Sequence, residues 1–113
     1  MGKMSKQKGN RGELEASKEI ARLFGVEARR GQQFAGGNDS PDIVADLPGV
    51  HLEVKRTECL RLWEAIQQAQ DDAGDKMPVV LHRSNKRPWV AIVRLEDLPA
   101  IVARLYLVLM AKS

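Results

Sequence analysis

Two carboxylates and a lysine stand at a spacing that could do chemistry. The segment Val50-His51-Leu52-Glu53-Val54-Lys55 alternates apolar and polar residues, as a half-buried strand does. The alternation assigns Val50, Leu52 and Val54 to a buried face. It assigns His51, Glu53 and Lys55 to the other, so a carboxylate and an ammonium lie side by side. Ser40-Pro41-Asp42 supplies a second carboxylate. Pro41 holds its predecessor extended, Asp42 opens a strand, and Leu47-Pro48-Gly49 turns that strand back against Val50–Lys55. Asp42 and Glu53 then meet at one end of the pair. Carboxylates at close range repel unless a positive charge stands between them. A hard cation such as Mg²⁺, which prefers carboxylate oxygen and water, suits that place. Such an ion lowers the pKa of a bound water and stabilises charge in phosphodiester hydrolysis. Lys55 would orient the water and offset the developing charge. The same residues would also make a salt-bridged hairpin with no chemistry at all.

Glu13 points the same way. On a helical wheel it shares a stripe with Ala16, Ile20 and Phe24, while Glu15 and Glu19 face away with Lys18 and Arg22. A carboxylate on a buried face is costly unless paired or metal-bound. Asn10 and Glu13 also have the spacing of a capping box, a second role compatible with the first.

The elements that must position these groups follow from breakers and periodicity. We expect a flexible basic arm over 1–9 and a single domain over 10–113. A helix runs from Asn10 to about Phe24, and Gly25 ends it. Val26–Arg30 is extended, and 31–41 is a Gly-, Asn-, Asp- and Ser-rich loop. Strands occupy Asp42–Asp46 and Val50–Arg56. A second helix spans Leu60–Ala73 and ends at Gly74, and strands follow over Pro78–His82 and Trp89–Arg94. Asp97 caps a last helix that takes Pro99 in its first turn. The order gives a mixed α/β domain, a central mixed sheet flanked by helices.

With these residues in place, the chain resembles the PD-(D/E)xK nuclease superfamily, and within it the small Holliday junction resolvase-like nucleases of archaea and phages. The resemblance rests on Lys8-Gly9-Asn10-Arg11-Gly12-Glu13, Ser40-Pro41-Asp42-Ile43-Val44 and Glu53-Val54-Lys55, within roughly residues 6 to 94. It implies a restriction-endonuclease-like αβββαβ core and a Mg²⁺-dependent DNA endonuclease, with Mn²⁺ able to substitute. Asp42 and Glu53 would be metal ligands, with the Val54 backbone carbonyl a third. Glu13 would hold a second metal or its water, and Lys55 would be catalytic. Phage relatives carry a Gln-Ala pair in the helix after the strand motif, which Gln68-Ala69 matches. The implied substrate is branched DNA. The alternatives are nicked, duplex or single-stranded DNA, or DNA binding without catalysis.

Other features bear on partners. The chain has 113 residues and a net charge of +3, mildly basic and compatible with a polyanion. Lys8, Arg11, Arg29, Arg30, Arg83 and Lys86 are candidate phosphate contacts. The loop Ala35-Gly36-Gly37-Asn38, reached through Gln32, is a candidate DNA clamp or a plain connector. Trp89 is a candidate stacking platform or a core residue. His51 reads more simply as a solvated neighbour of Glu53 than as a participant, and His82 begins a polar turn over Arg83–Arg87 that leads to Trp89. Cys59 is the only cysteine, so no internal disulfide forms; we read it as structural. No apolar run would span a membrane, and the basic start lacks a signal core, so we expect a cytoplasmic protein. The last helix is apolar almost all round, which suggests a homodimer interface or a central core helix.

Overall fold

The turn at Leu47-Pro48-Gly49 sets the centre of the fold. Gly49 takes a φ of 79°, a backbone state that glycine adopts without a Cβ penalty. The turn reverses the chain from β2 (Ile43–Ala45) into β3 (Val50–Arg56), and Ile43 pairs antiparallel with Leu52. The computed structural model describes residues 2–31 and 42–112, with side chains from Arg11 onward. The proposed DNA clamp, including Gln32, and the Pro41 extension lie outside the described residues.

Five strands form one mixed sheet in the order β1-β2-β3-β4-β5, where β1 is Ala28–Arg30, β4 is Met77–Arg83 and β5 is Val90–Ile92. β3 and β4 run parallel, and the other pairs are antiparallel. The parallel pair needs a crossover, and helix α2 (Leu62–Ala73) supplies it. Helix α1 (Gly2–Phe24) precedes the sheet, and α3 (Leu98–Ala111) follows a single 3₁₀ turn over Leu95–Asp97. The expected α/β domain with a central mixed sheet and flanking helices is present.

Both faces of the sheet are covered. Ala16 and Ile20 of α1 and Ile101 of α3 pack with Ile43, Leu52, Val79 and Leu81. Ala65, Ile66 and Ala69 of α2 pack with Val80 on the opposite face. Sheets covered on both faces bury residues of both parities. This corrects the two-sided reading of β3. His51, Leu52 and Glu53 are all buried, so the polar face of the strand lies under α2 rather than in water.

Boundaries shift where tertiary context overrides local signals. The first helix starts at Gly2, so Asn10 lies inside it and does not cap it. The residues read as an arm over 1–9 are mostly helical backbone. Lys, Gln and Met are good helix formers, and Gly9 weakens the run without breaking it. Pro78 lies inside β4 and opposes His51. It is tolerated because β5 reaches only as far as Val80, so its missing N–H forfeits no partner there. Asp97 sits at the start of α3 with no side-chain cap; its carboxylate takes the Arg94 guanidinium at 2.8 and 3.1 Å instead.

Candidate active site

The short β2 creates the site. Among the described residues it pairs with β3 only as far as Leu52, and the next backbone position on that edge is Val54. The Asp42 carboxylate accepts the Val54 N–H at 2.8 Å. In a strand the N–H and C=O of one residue point to the same edge. The Val54 carbonyl therefore faces the Asp42 side of β3. Asp42 (8% exposed) and Glu53 (4%) are both buried and share a hydrogen bond between their carboxyls. The sequence expectation that the turn brings these two acids together holds.

Electrostatics separates them. Burial, reinforced by the negative charge of Glu53, pushes the Asp42 carboxyl up to about 7. Burial pushes Glu53 the same way. Hydrogen bonds from His51 and Asp42, with the positive fields of His51 and Lys55, outweigh it and hold Glu53 below its ordinary value. Asp42 is thus the acid that keeps the shared proton in the metal-free protein. Two buried acids whose ionisation is driven apart in this way are typical of functional sites.

Lys55 extends from the same face of β3 as Glu53. Its Nζ donates to Gln68 Oε1 of α2 at 2.6 Å. Gln68 thereby holds the ammonium in place. The Lys55 carbonyl is taken by His82 Nδ1 at 2.9 Å, which fixes the His82 ring against β3.

Glu13 arrives from α1. Gly12 makes this approach possible: a Cβ there would stand 2.6 Å from the Arg56 Cβ, closer than packed carbons allow. Glu13 is partly buried and accepts from Arg30 Nε of β1 at 3.3 Å. Burial raises its pKa, the Arg30 bond opposes that, and the charge of Glu53 adds to it. Asp42 and Glu53 therefore meet at the middle of β3 with Lys55 beside them, while Glu13, held by Arg30, comes from the α1 side near enough to feel the Glu53 charge.

Sequence reading missed two groups. His51 is 4% exposed, and its Nε2 lies 3.0 Å from Glu53 Oε1. It is a buried partner of Glu53, not a solvated neighbour, because α2 covers that face. Asp72 lies one helical turn after Gln68 and reaches Glu53. The i, i+4 spacing of Gln68 and Asp72 on one flank of α2 was the available signal.

The expected basic contacts divide. Arg11, Arg29 and Lys86 are exposed, and the Lys8 side chain lies outside the description. Arg30 serves Glu13. Arg83 pairs with Glu15 and donates to the Arg87 carbonyl at 2.7 Å. Trp89 packs on the core, which answers the choice between stacking platform and core residue. Cys59 is exposed, not buried as a structural thiol would be. No protein-family model, curated protein or solved structure matches the chain.

Proposed function

We propose that the chain is a metal-dependent DNA endonuclease of the PD-(D/E)xK type, acting on branched DNA in the manner of the small junction resolvase-like nucleases it resembles. The observation that carries this reading is the buried Asp42–Glu53 pair at the β2-facing edge of β3, with Lys55 fixed beside it by Gln68. The donors facing that edge are oxygens: two carboxylates and the Val54 carbonyl. Such a set fits Mg²⁺, with Mn²⁺ as substitute. When bound, the ion would supply Lewis-acid polarisation and an activated water. Asp42 and Glu53 would hold it, and the cation would take over from the shared proton in offsetting their mutual repulsion. Lys55 would place its ammonium beside the scissile phosphate and offset charge developing on it. Glu13, held by Arg30, would orient a water from the α1 side. Arg11, Arg29 and Lys86 would meet the DNA backbone.

We assign the enzyme a homodimer through α3. This helix buries only Ile101, while Val102 (54% exposed), Tyr106 (59%) and Leu107 (69%) stay open. Among the described residues, no helix is long and apolar enough to cross a membrane; with one cysteine, a reducing, cytoplasmic compartment suits the chain. Labelled four-way junction, duplex and single-stranded DNA, each incubated with Mg²⁺ or EDTA, test the substrate class. Junction cutting that needs Mg²⁺ supports the resolvase-like role. Equal cutting of other forms keeps the nuclease and removes the junction preference. Binding of all forms without cutting leaves a non-catalytic DNA-binding module.

A further inference from the structure

We propose that His51, Glu53 and Asp72 bind one divalent transition-metal ion, of the Zn²⁺, Co²⁺ or Mn²⁺ class, between β3 and α2. One donor atom from each residue lies within 4.8 Å of the other two. His51 Nε2 and Glu53 Oε1 are already 3.0 Å apart. Metal bonds of about 2.0–2.2 Å place neighbouring ligands roughly 3 to 3.6 Å apart, so small side-chain adjustments close the shell. The donor set differs from the oxygen edge at Asp42. An imidazole nitrogen with two carboxylates suits borderline transition metals, whereas Mg²⁺ and Ca²⁺ favour oxygen alone.

The surroundings fit an ion as well as the donors do. His51 and Glu53 are each 4% exposed, and α2 closes over them. A cavity of about 260 Å³ lies beside them, lined in part by His51, Leu52, Asp72, Ala73 and Lys76. It gives an ion a path in and room for its remaining water ligands. Glu53 is buried beside the imidazole and Asp72 is half-buried next to it, and a dication between them would balance the two carboxylates. Binding needs a free lone pair on Nε2. The neutral imidazole provides it when its proton moves to Nδ1, and an imidazolium provides it by releasing one proton to solvent. The site tethers the C-terminal end of α2 to the middle of β3. It goes beyond the nuclease reading and requires neither DNA nor cleavage.

The test uses the full chain, stripped of metal by a chelator and titrated with Zn²⁺ alone. The readout is the imidazole nitrogen resonances, and the chain has 2 histidines to resolve. We expect the His51 Nε2 resonance to move and saturate near one equivalent, with His82 unmoved. Asp72→Asn, and separately His51→Gln, each checked for folding by circular dichroism, should weaken Zn²⁺ binding by roughly 10-fold or more, at least the loss seen when groups supporting a metal site are removed. Loss of the His51 response in Asp72→Asn separates this ion from one held at the Asp42 edge, to which Asp72 supplies no donor. A His51 resonance that stays unmoved overturns the proposal, as do Asp72→Asn and His51→Gln proteins that bind Zn²⁺ like wild type. A protein inactive on every DNA form would sink the nuclease reading and leave this result unaffected.

Discussion

Replacing Asp42 by Asn should make the metal-free protein more stable at pH 8. Asn keeps an oxygen for the Val54 N–H that Asp42 now accepts at 2.8 Å. Its amide can donate to Glu53, where the wild-type protein relies on a shared proton. The magnitude follows from the Asp42 carboxyl, raised from 3.8 to about 7. A carboxyl raised on folding favours the native state when protonated, and that contribution is lost as pH climbs from about 4 through about 7. Full ionisation of that group costs roughly 4 kcal/mol as a ceiling. Glu53, lowered on folding, has the opposite sign: its contribution is present above its ordinary value and disappears in acid. It offsets part of the Asp42 cost, so we expect a gain of about 1–3 kcal/mol for the variant. Urea unfolding in EDTA at pH 8 and at pH 4.5 measures it. The gain should shrink at pH 4.5, where Asp42 already carries its proton. A variant less stable than wild type at pH 8 would refute the electrostatic account of this pair.

Three further predictions follow from the same geometry. Gly12→Ala should lower stability by about 1–2 kcal/mol although alanine favours helix, because its Cβ collides with Arg56; thermal unfolding reads it. Lys55→Ala should keep the fold but cut DNA cleavage by about 10²–10³-fold, and Gln68→Ala, which only frees the ammonium, should cost less. Circular dichroism with single-turnover cleavage separates these cases. Tyr106→Glu with Leu107→Glu should convert a dimer to a monomer in sedimentation, with secondary structure retained, since both side chains are open in the single chain.

The sequence made the turn at Leu47–Gly49, the full extent of β3 and the meeting of Asp42 with Glu53 legible, because those depend on local breakers and a period of two. It did not make legible which face of β3 would be buried. That depends on the α2 crossover, a non-local event that turns His51 from a surface neighbour into the buried partner of Glu53. Glu13 was visible as an acid on an apolar stripe, but its Arg30 partner was not, since 17 residues separate them in the chain. The helix start was misplaced because Asn10 is a good local cap, and the helix continues past it.

Cleavage of a labelled four-way junction by wild type and Asp42→Asn, in Mg²⁺ and in EDTA, tests the central claim most directly. The account predicts that wild type cuts only with Mg²⁺, and that the variant, folded and more stable without metal, does not cut. Cutting by Asp42→Asn at the wild-type rate, or by wild type in EDTA, would contradict it.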